Sequence, residues 1–432
     1  MSTCPVRRPA RGASIPPPCF RIFTMTRTYS FDPADPELRV DPYPRFRWLR
    51  DNDPVHWSDL GFWVVTGYED ARDVVRAEVF GQGDFVANIA LFYEPGFDVL
   101  AHSSYRWLSE VFVMRDPPDH TRLRKLVVQA LDARRITAMR PRIAAITEQL
   151  LDELEPRGSM DVIHDFAYRL PTRVMCDMLG IAAHEVSEET LGKLNQAIAD
   201  SFIVFETRAL APAELAHADA QIDFLTDYFD GIFEQRRREP RDDLTTALVN
   251  ARDGNARLSR EELSTVVIGL FGAGFETTAH MIGNGLLTLQ RFPEQWELLC
   301  REPALARQAV EEILRYESSL QATYRTALED TVIRGTPIRK GQRVLAILSA
   351  GNRDPAVLPD AETFDIRRAP HKPLSFGGGI HFCVGAELAR AEGEVAFTAL
   401  TRRLPQLRVD THDPAWRAGF LFRGLERLPA RW

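Results

Sequence analysis

The chain has 432 residues, 45% hydrophobic and 26% charged, which suffices to bury one large core or two ordinary ones and excludes extended disorder. A formal charge of −8 argues against a nucleic-acid-binding protein, leaving only local basic patches for an acidic partner. The five cysteines (Cys4, Cys19, Cys176, Cys300, Cys383) are odd in number and lack zinc-like spacing, which points to a reducing, cytoplasmic setting.

Residues 1–24 are basic and Pro-rich without the apolar run of a signal peptide; a disordered leader is expected there, with Met25 as an alternative start. DPYPRFRWLRDNDPVHW then predicts a loop, a short helix and the start of a strand, and GFWVVTGY a second strand. From about residue 119 the apolar period becomes helical through HTRLRKLVVQAL, MRPRIAAITEQLLDEL, DFAYRLPTRVMCDMLGI, AELAHADAQIDFLTDYFDGIFEQRRR, REELSTVVIGLFGAGFETTAHMIGNGLLTLQ and PALARQAVEEILRYE. Short β segments return at TVIRG, PIRKGQRVLAIL and LFRGLERLPARW. With no repeat and no linker after residue 25, one mainly α domain with small β-sheets is expected over 25–432. The most apolar stretch, STVVIGLFGAGF, is closed by Glu262 and Glu276, so no membrane anchor is expected.

SFGGGIHFCVG, residues 375–385, surrounds a lone cysteine with four glycines. A cysteine binds metal as thiolate, and backbone N–H groups of a glycine-rich loop stabilise that charge without protonating it. Gly377, Gly378, Gly379 and Gly385 permit positive φ and close approach to a flat ligand, and Phe376 can shield the sulfur. In isolation such a cysteine is more often an ordinary buried residue. Here Phe376-Gly377-x-Gly379-x-His381-x-Cys383-x-Gly385 fills every fixed position of the haem-binding signature of the cytochrome P450 family, and the chain resembles a bacterial member. The resemblance implies that family's single triangular domain, a buried haem b (heme) and Cys383 as axial thiolate, a ligand that favours O–O cleavage.

Four further stretches match the family. In FGAGFETTAH, Ala273 and Thr277 share a helix face, and Ala273, Gly274, Glu276, Thr277 and Thr278 match the pattern over the oxygen-binding face of the haem. The resemblance makes Glu276 and Thr277 an acid and alcohol pair for proton delivery, with Gly274 relaxing the helix into a groove; the plainer alternative is a hydroxyl bonded back to its own helix. Gly272-x-Gly274-x-x-Thr277 nearly imitates a dinucleotide fingerprint but lies within a helix and lacks the last glycine. Glu312 and Arg315, which alone read as a surface pair, match with Arg368 the family's buried Glu-Arg-Arg network supporting the cysteine loop. His120, Arg124, Arg325 and His381 match positions that neutralise the two haem propionates. Asn352 to Pro355, NRDP, follows in the expected place as a loop-shaping segment. Ser319 departs from the proline usual after such an Arg-x-x-Ser stretch, which leaves the pocket wall there open.

No flavin, nicotinamide or iron–sulfur motif is present, so the resemblance implies electrons from NAD(P)H through a separate ferredoxin and ferredoxin reductase, with O2 as co-substrate. Arg122, Arg124, Lys125, Arg134 and Arg135 form a basic stretch that could steer an acidic ferredoxin. Family position assigns the substrate pocket to Phe85, Asn88, Ile89, Phe92, Phe271, Leu320, Thr323, Phe420 and Phe422, with Tyr324 nearby, which suits a hydrophobic small molecule. The expected activity is monooxygenation by a monomer, hydroxylation by default in secondary metabolism. A peroxide-driven peroxygenase, for which the acid and alcohol pair is superfluous, and a non-catalytic haem sensor are the alternatives.

Overall fold

A helix apolar on all sides needs cover on all sides, and the architecture supplies it to one long helix. The computed structural model describes residues 30–181, 186–206, 208–254 and 256–432; the leader expected over 1–24 and the start at Met25 lie outside them. In chain order the helices that position the site are α1 (Tyr68–Arg76), α2 (Asp119–Ala130), α3 (Ala133–Leu154), α4 (Arg169–Leu179), α5 (Glu188–Ser201), α6 (Pro212–Arg238), α7 (Arg260–Arg291), α8 (Ala306–Tyr316) and α9 (Ala386–Arg403). The helical segments expected from sequence all form. The stretch expected as one helix over 165–181 divides into a π-helical turn, Val162–Ala167, and α4.

α7 is 32 residues long. It starts with a reciprocal cap in which the Ser259 hydroxyl accepts from the Glu262 N–H and the Glu262 carboxylate accepts from the Ser259 N–H. α4, α6, α8 and α9 pack around it. By composition α7 is long and apolar enough to cross a membrane, yet most of its apolar window is buried in this main core.

The sheet near the N-terminus is completed from the distant 322–347 segment. Its strands β1 (Val55–Ser58), β2 (Phe62–Val65), β3 (Phe80–Gly81), β4 (Ala322–Ala327) and β5 (Arg343–Ile347) lie in the order β1-β2-β5-β4-β3. All neighbours are antiparallel except β2 and β5. The β4–β5 register pairs Tyr324 with Leu345 and Arg325 with Val344. Because side chains alternate between faces, Arg325 lies on the face of Val344 and Ala346, which packs against α1 through Val74 and Val75. Tyr324 lies on the other face, where its ring meets Phe62 at 5.4 Å and the Arg343 guanidinium at 4.1 Å.

Gly272 lets α7 approach the end of α5 and the turn after it: a Cβ there would come 2.5 Å from the Phe202 ring and 2.9 Å from Ile198. Gly272→Ala is therefore expected to overpack this contact and cost about 1–3 kcal/mol, read as a lower denaturant midpoint at unchanged slope. An unaltered midpoint would show that this contact is loose.

Candidate active site around Cys383

The loop that carries Cys383 is shaped by two glycines and anchored by α1. Gly377 (φ 69°) and Gly379 (φ 61°) adopt left-handed backbone, and a Cβ on Gly379 would come 2.7 Å from the Val75 carbonyl. Gly378 and Gly385 have negative φ; Gly378 is instead required by packing, since its Cβ would lie 2.9 Å from Val75 Cγ2. Three of the four glycines thus meet the expectation of special backbone or close contact through α1, and Gly385 serves the sulfur directly with its N–H. The Cys383 N–H donates to the Phe376 carbonyl at 3.0 Å, folding the loop back on itself. α9 begins three residues later, so the positive end of its dipole lies beside the sulfur. Cys383 is accessible but enclosed: burial pushes its thiol up, while the Gly385 N–H, Arg124 and Arg390 act in the opposite direction. A bound cation would reverse that balance and release the proton. Arg390 also stacks over the Phe376 ring at 4.6 Å.

A buried charge network holds the loop from beneath. Arg315, fully buried, donates to both Glu312 oxygens at 2.7 and 2.8 Å and to the carbonyls of Asn352, Ala361 and Thr363. Arg368 donates to Glu312 at 3.2 Å and to the Thr363 carbonyl at 2.7 Å. Asn352 carries the connection onward, accepting from Leu374 N–H at 2.6 Å and donating to the Ser375 hydroxyl at 2.9 Å, at the foot of the cysteine loop.

His120, Arg124, Arg325 and His381 converge although they come from three distant segments. The His120 and His381 rings are 4.3 Å apart, and neither ring has a hydrogen-bond partner among the described residues. Burial followed by Arg325, His120 and Arg124 pushes His381 down to about 3, and burial pushes Arg325 down to about 10. The nearest acid, Asp116, is occupied by the Gln82 and Gly83 N–H groups at 2.8 and 2.9 Å. Arg124 bonds the Phe382 carbonyl at 2.6 Å, and Arg325 bonds Thr323 Oγ1 and its neighbour's carbonyl. A cluster with two arginines, two unpartnered imidazoles and no carboxylate of its own fits a buried dianion. The propionates of a haem over Cys383 answer that description.

On α7, Gly269, Ala273, Gly274 and Thr277 keep accessible surface between buried neighbours. Gly269, Ala273 and Thr277 are four apart and share one face. Thr277 Oγ1 donates to the Ala273 carbonyl at 2.8 Å. The helix runs unbroken through Gly274 with no relaxed groove; that glycine is required by α4, since a Cβ would lie 2.5 Å from Met175 Sδ. Thr278 is buried. Glu276 is buried too, and its partners are Tyr168, His280 and Arg417 rather than Thr277. The sequence reading missed those three residues; His280, one turn beyond Glu276, was the available signal.

Among the pocket residues, Leu320 bridges Phe422, which packs on Phe202 and Phe205, while Phe85, Ile89 and Phe92 are half-buried. Phe271 is fully buried against Phe229 and Phe275, and Phe420 lies in a second core with Phe31 and Phe46, where it lines a small cavity with Trp416 and Arg423. Asn88 is spent on the Gln82 carbonyl and Thr326, Thr323 accepts from Arg325, and Tyr324 faces the far side of the sheet. The basic stretch across α2 and the start of α3 is also less free than its sequence implied. Arg122 pairs with Glu262 and Lys125 with Asp253, Arg135 lies 3.5 Å from Asp242, and Arg134 is exposed without an ion pair among the described residues.

The family pattern described as Cytochrome P450 matches residues 86–413. The chain belongs to the cytochrome P450 family. It is 37% identical over 401 residues to 6-deoxyerythronolide B hydroxylase of Saccharopolyspora erythraea, covering 91% of this chain and 96% of that one. It is likewise 37% identical to the mycinamicin IV hydroxylase/epoxidase of Micromonospora griseorubida, over 86% of this chain and 89% of that relative. The crystal structure of P450BioI with an acyl carrier protein carrying hexadec-9Z-enoic acid superposes with TM-score 0.83 at 33% identity, covering 92% of this chain and 99% of that one. This cytochrome P450 is a monooxygenase with the family's fold, and the family uses a haem-thiolate centre and O2.

Arg315→Leu should leave the buried Glu312 with Arg368 and the Asp365 N–H but without its bidentate partner, at a cost of about 3–5 kcal/mol. The expected result is a lower unfolding midpoint together with loss of retained haem, since the network supports the cysteine loop. A variant as stable as the parent would mean that the loop stands without it.

Proposed function

We propose that Cys383 ligates the haem iron, that His120, Arg124, Arg325 and His381 hold its propionates, and that the enzyme hydroxylates a hydrophobic small molecule of secondary metabolism with electrons from a separate ferredoxin and reductase. The observation that carries this reading is the buried cationic cluster without an acid of its own beside the cysteine loop. The relatives support the reaction class: one is named as a hydroxylase of 6-deoxyerythronolide B and another as a hydroxylase/epoxidase of mycinamicin IV. A thiolate-bound haem supplies activation of O2 and transfer of one oxygen atom. The chain's own residues enclose the site, place the substrate and manage the proton.

Thr277, on the accessible face of α7, orients water or oxygen through its lone pairs, because its hydroxyl proton is already given to the Ala273 carbonyl. Glu276, its neighbour, is the acid that supplies protons. Ferredoxin docking is assigned to the face near α2, with Arg134 rather than the paired Arg122 and Lys125 as its free charge.

Cys383→Ala should abolish the red-shifted ferrous carbon monoxide band that thiolate ligation gives. Persistence of that band would move the ligand to another cysteine. Thr277→Ala should keep haem content and NADH consumption while diverting reducing equivalents from product to hydrogen peroxide, a loss of product within the roughly 10² to 10⁴ range typical of proton-transfer help. Unchanged product per NADH would remove Thr277 from proton delivery.

A further inference from the structure

Arg343, the first residue of β5, is buried (9% exposed), and no carboxylate among the described residues pairs with it. Its guanidinium lies over two aromatic rings, 4.1 Å from the centre of Tyr324 and 5.6 Å from that of Phe92. Its hydrogen bond runs from Nη1 to the Asn88 carbonyl at 3.4 Å, beyond the roughly 3.2 Å reach of a good N–H···O bond. Nε and Nη2 have no hydrogen-bond partner among the described residues, and neither is fully sealed from solvent. The polar groups around it are engaged elsewhere. Thr326, opposite Arg343 in the β4–β5 register, donates to the Gln82 carbonyl at 3.0 Å, and Asn88 Nδ2 donates to the same carbonyl at 2.9 Å and to Thr326 Oγ1 at 3.2 Å.

The surroundings place this cation at the end of an apolar run. Arg343 shares its sheet face with Tyr324, Leu345 and Ile347, the face turned from Arg325 and the histidines. Leu345 and Ile347 belong to the second core, against which Phe205, Tyr324 and Phe422 pack half-buried. Phe422 in turn bridges to Leu320 and packs on Phe202. Apolar side chains therefore connect Arg343 with the Leu320–Phe422 wall of the proposed pocket. Burial pushes the guanidinium down, with Tyr324 alone acting against it. Contact with two rings offsets part of that desolvation, and an anion on the open edge would offset the rest.

We propose that Arg343 anchors the carboxylate of an amphipathic substrate whose apolar body lies along Tyr324 and Phe422 toward the Leu320 wall. The inference rests on the reading of the enzyme as acting on a hydrophobic small molecule and adds a charged end to that molecule. Nε and Nη2 form one edge of the guanidinium, and two parallel N–H groups on one planar edge match the two oxygens of a carboxylate. The Asn88 carbonyl, on Nη1, keeps that edge turned outward. Fixing one end of the substrate also fixes how far along its body the oxidised carbon lies. Arg343 is thereby a specificity-determining residue that takes no part in the chemistry.

Three probes of equal chain length, dodecanoate, 1-dodecanol and dodecyltrimethylammonium, are titrated by calorimetry into the ferric holoenzyme, while the haem absorption band reports entry through its low-spin to high-spin conversion. The parent should bind dodecanoate about tenfold tighter than dodecanol, as a charged hydrogen-bonded pair provides, and the ammonium ion most weakly. Arg343→Gln should weaken dodecanoate by about tenfold and leave dodecanol within about twofold. Where this variant fails to retain haem, as its carbon monoxide band would show, Arg343→Met keeps a long side chain against both rings and serves the same comparison. Equal affinity of the parent for dodecanoate and dodecanol, or equal losses of both in the variant, overturns the inference and leaves Arg343 a packing residue. Arg343-dependent binding of dodecanoate with no spin conversion by any probe keeps the carboxylate site and removes the pocket reading. Spin conversion by dodecanol with no preference for dodecanoate keeps the pocket and removes the site.

Discussion

One buried guanidinium fixes the geometry on which the active site depends. Arg315 spends its donors on Glu312 and on the backbone carbonyls of Asn352, Ala361 and Thr363, so it pins α8 to the loops of residues 352–363. A solvent-exposed pair of the same residue types would contribute roughly 0–1 kcal/mol and impose no geometry. Buried, with every donor used, the pair leaves the loops no alternative arrangement that does not strand a charge. Asn352 then passes this constraint to Leu374 and Ser375, and Ser375 returns it to α8 through the Leu314 carbonyl. The cysteine loop is therefore tied at its foot by polar bonds and along its flank by the close contact of Gly378 and Gly379 with α1.

A rigid loop matters because the cluster beside it is unfavourable by itself. Arg325 is buried without an acid, and His120 and His381 face each other with unsatisfied nitrogens. The register of β4 and β5 aims Arg325 at this cluster, and the nearby Asp116 is diverted to cap Gln82 and Gly83. The fold thus sustains a local excess of positive charge in a net acidic protein, and a dianionic ligand would remove that cost. Folding and ligand retention are coupled through this term.

Much of this was legible in the sequence because the chemistry restricts residue identity position by position. A left-handed backbone demands glycine at 377 and 379, and the helical segments announce themselves through apolar periodicity. What stayed hidden depends on which way a side chain turns. Phe271 and Phe420 look like pocket walls by position, yet the rotation of α7 and the bend at residue 420 send them into cores. Arg122 and Lys125 read as a free patch until α7 and the 253 turn bring them Glu262 and Asp253. α9 escaped the periodicity reading because AELARAEGEVAFTALTRR lacks a strong apolar stripe, and α5 because EETLGKLNQAIADS is mostly polar.

The pair Glu276 and Thr277 shows what adjacency in sequence implies on a regular helix. Neighbours point about 100° apart, so an alcohol on the accessible face places its acid on the flank. An acid at position 273 would share the alcohol's face instead. On the flank Glu276 finds Arg417, Tyr168 and His280, which stabilise its charge, and Arg417 connects it with the exterior. The spacing separates the polar network around Glu276 from the accessible face of Thr277. α7 itself, wrapped in apolar packing elsewhere, is the barrier between them.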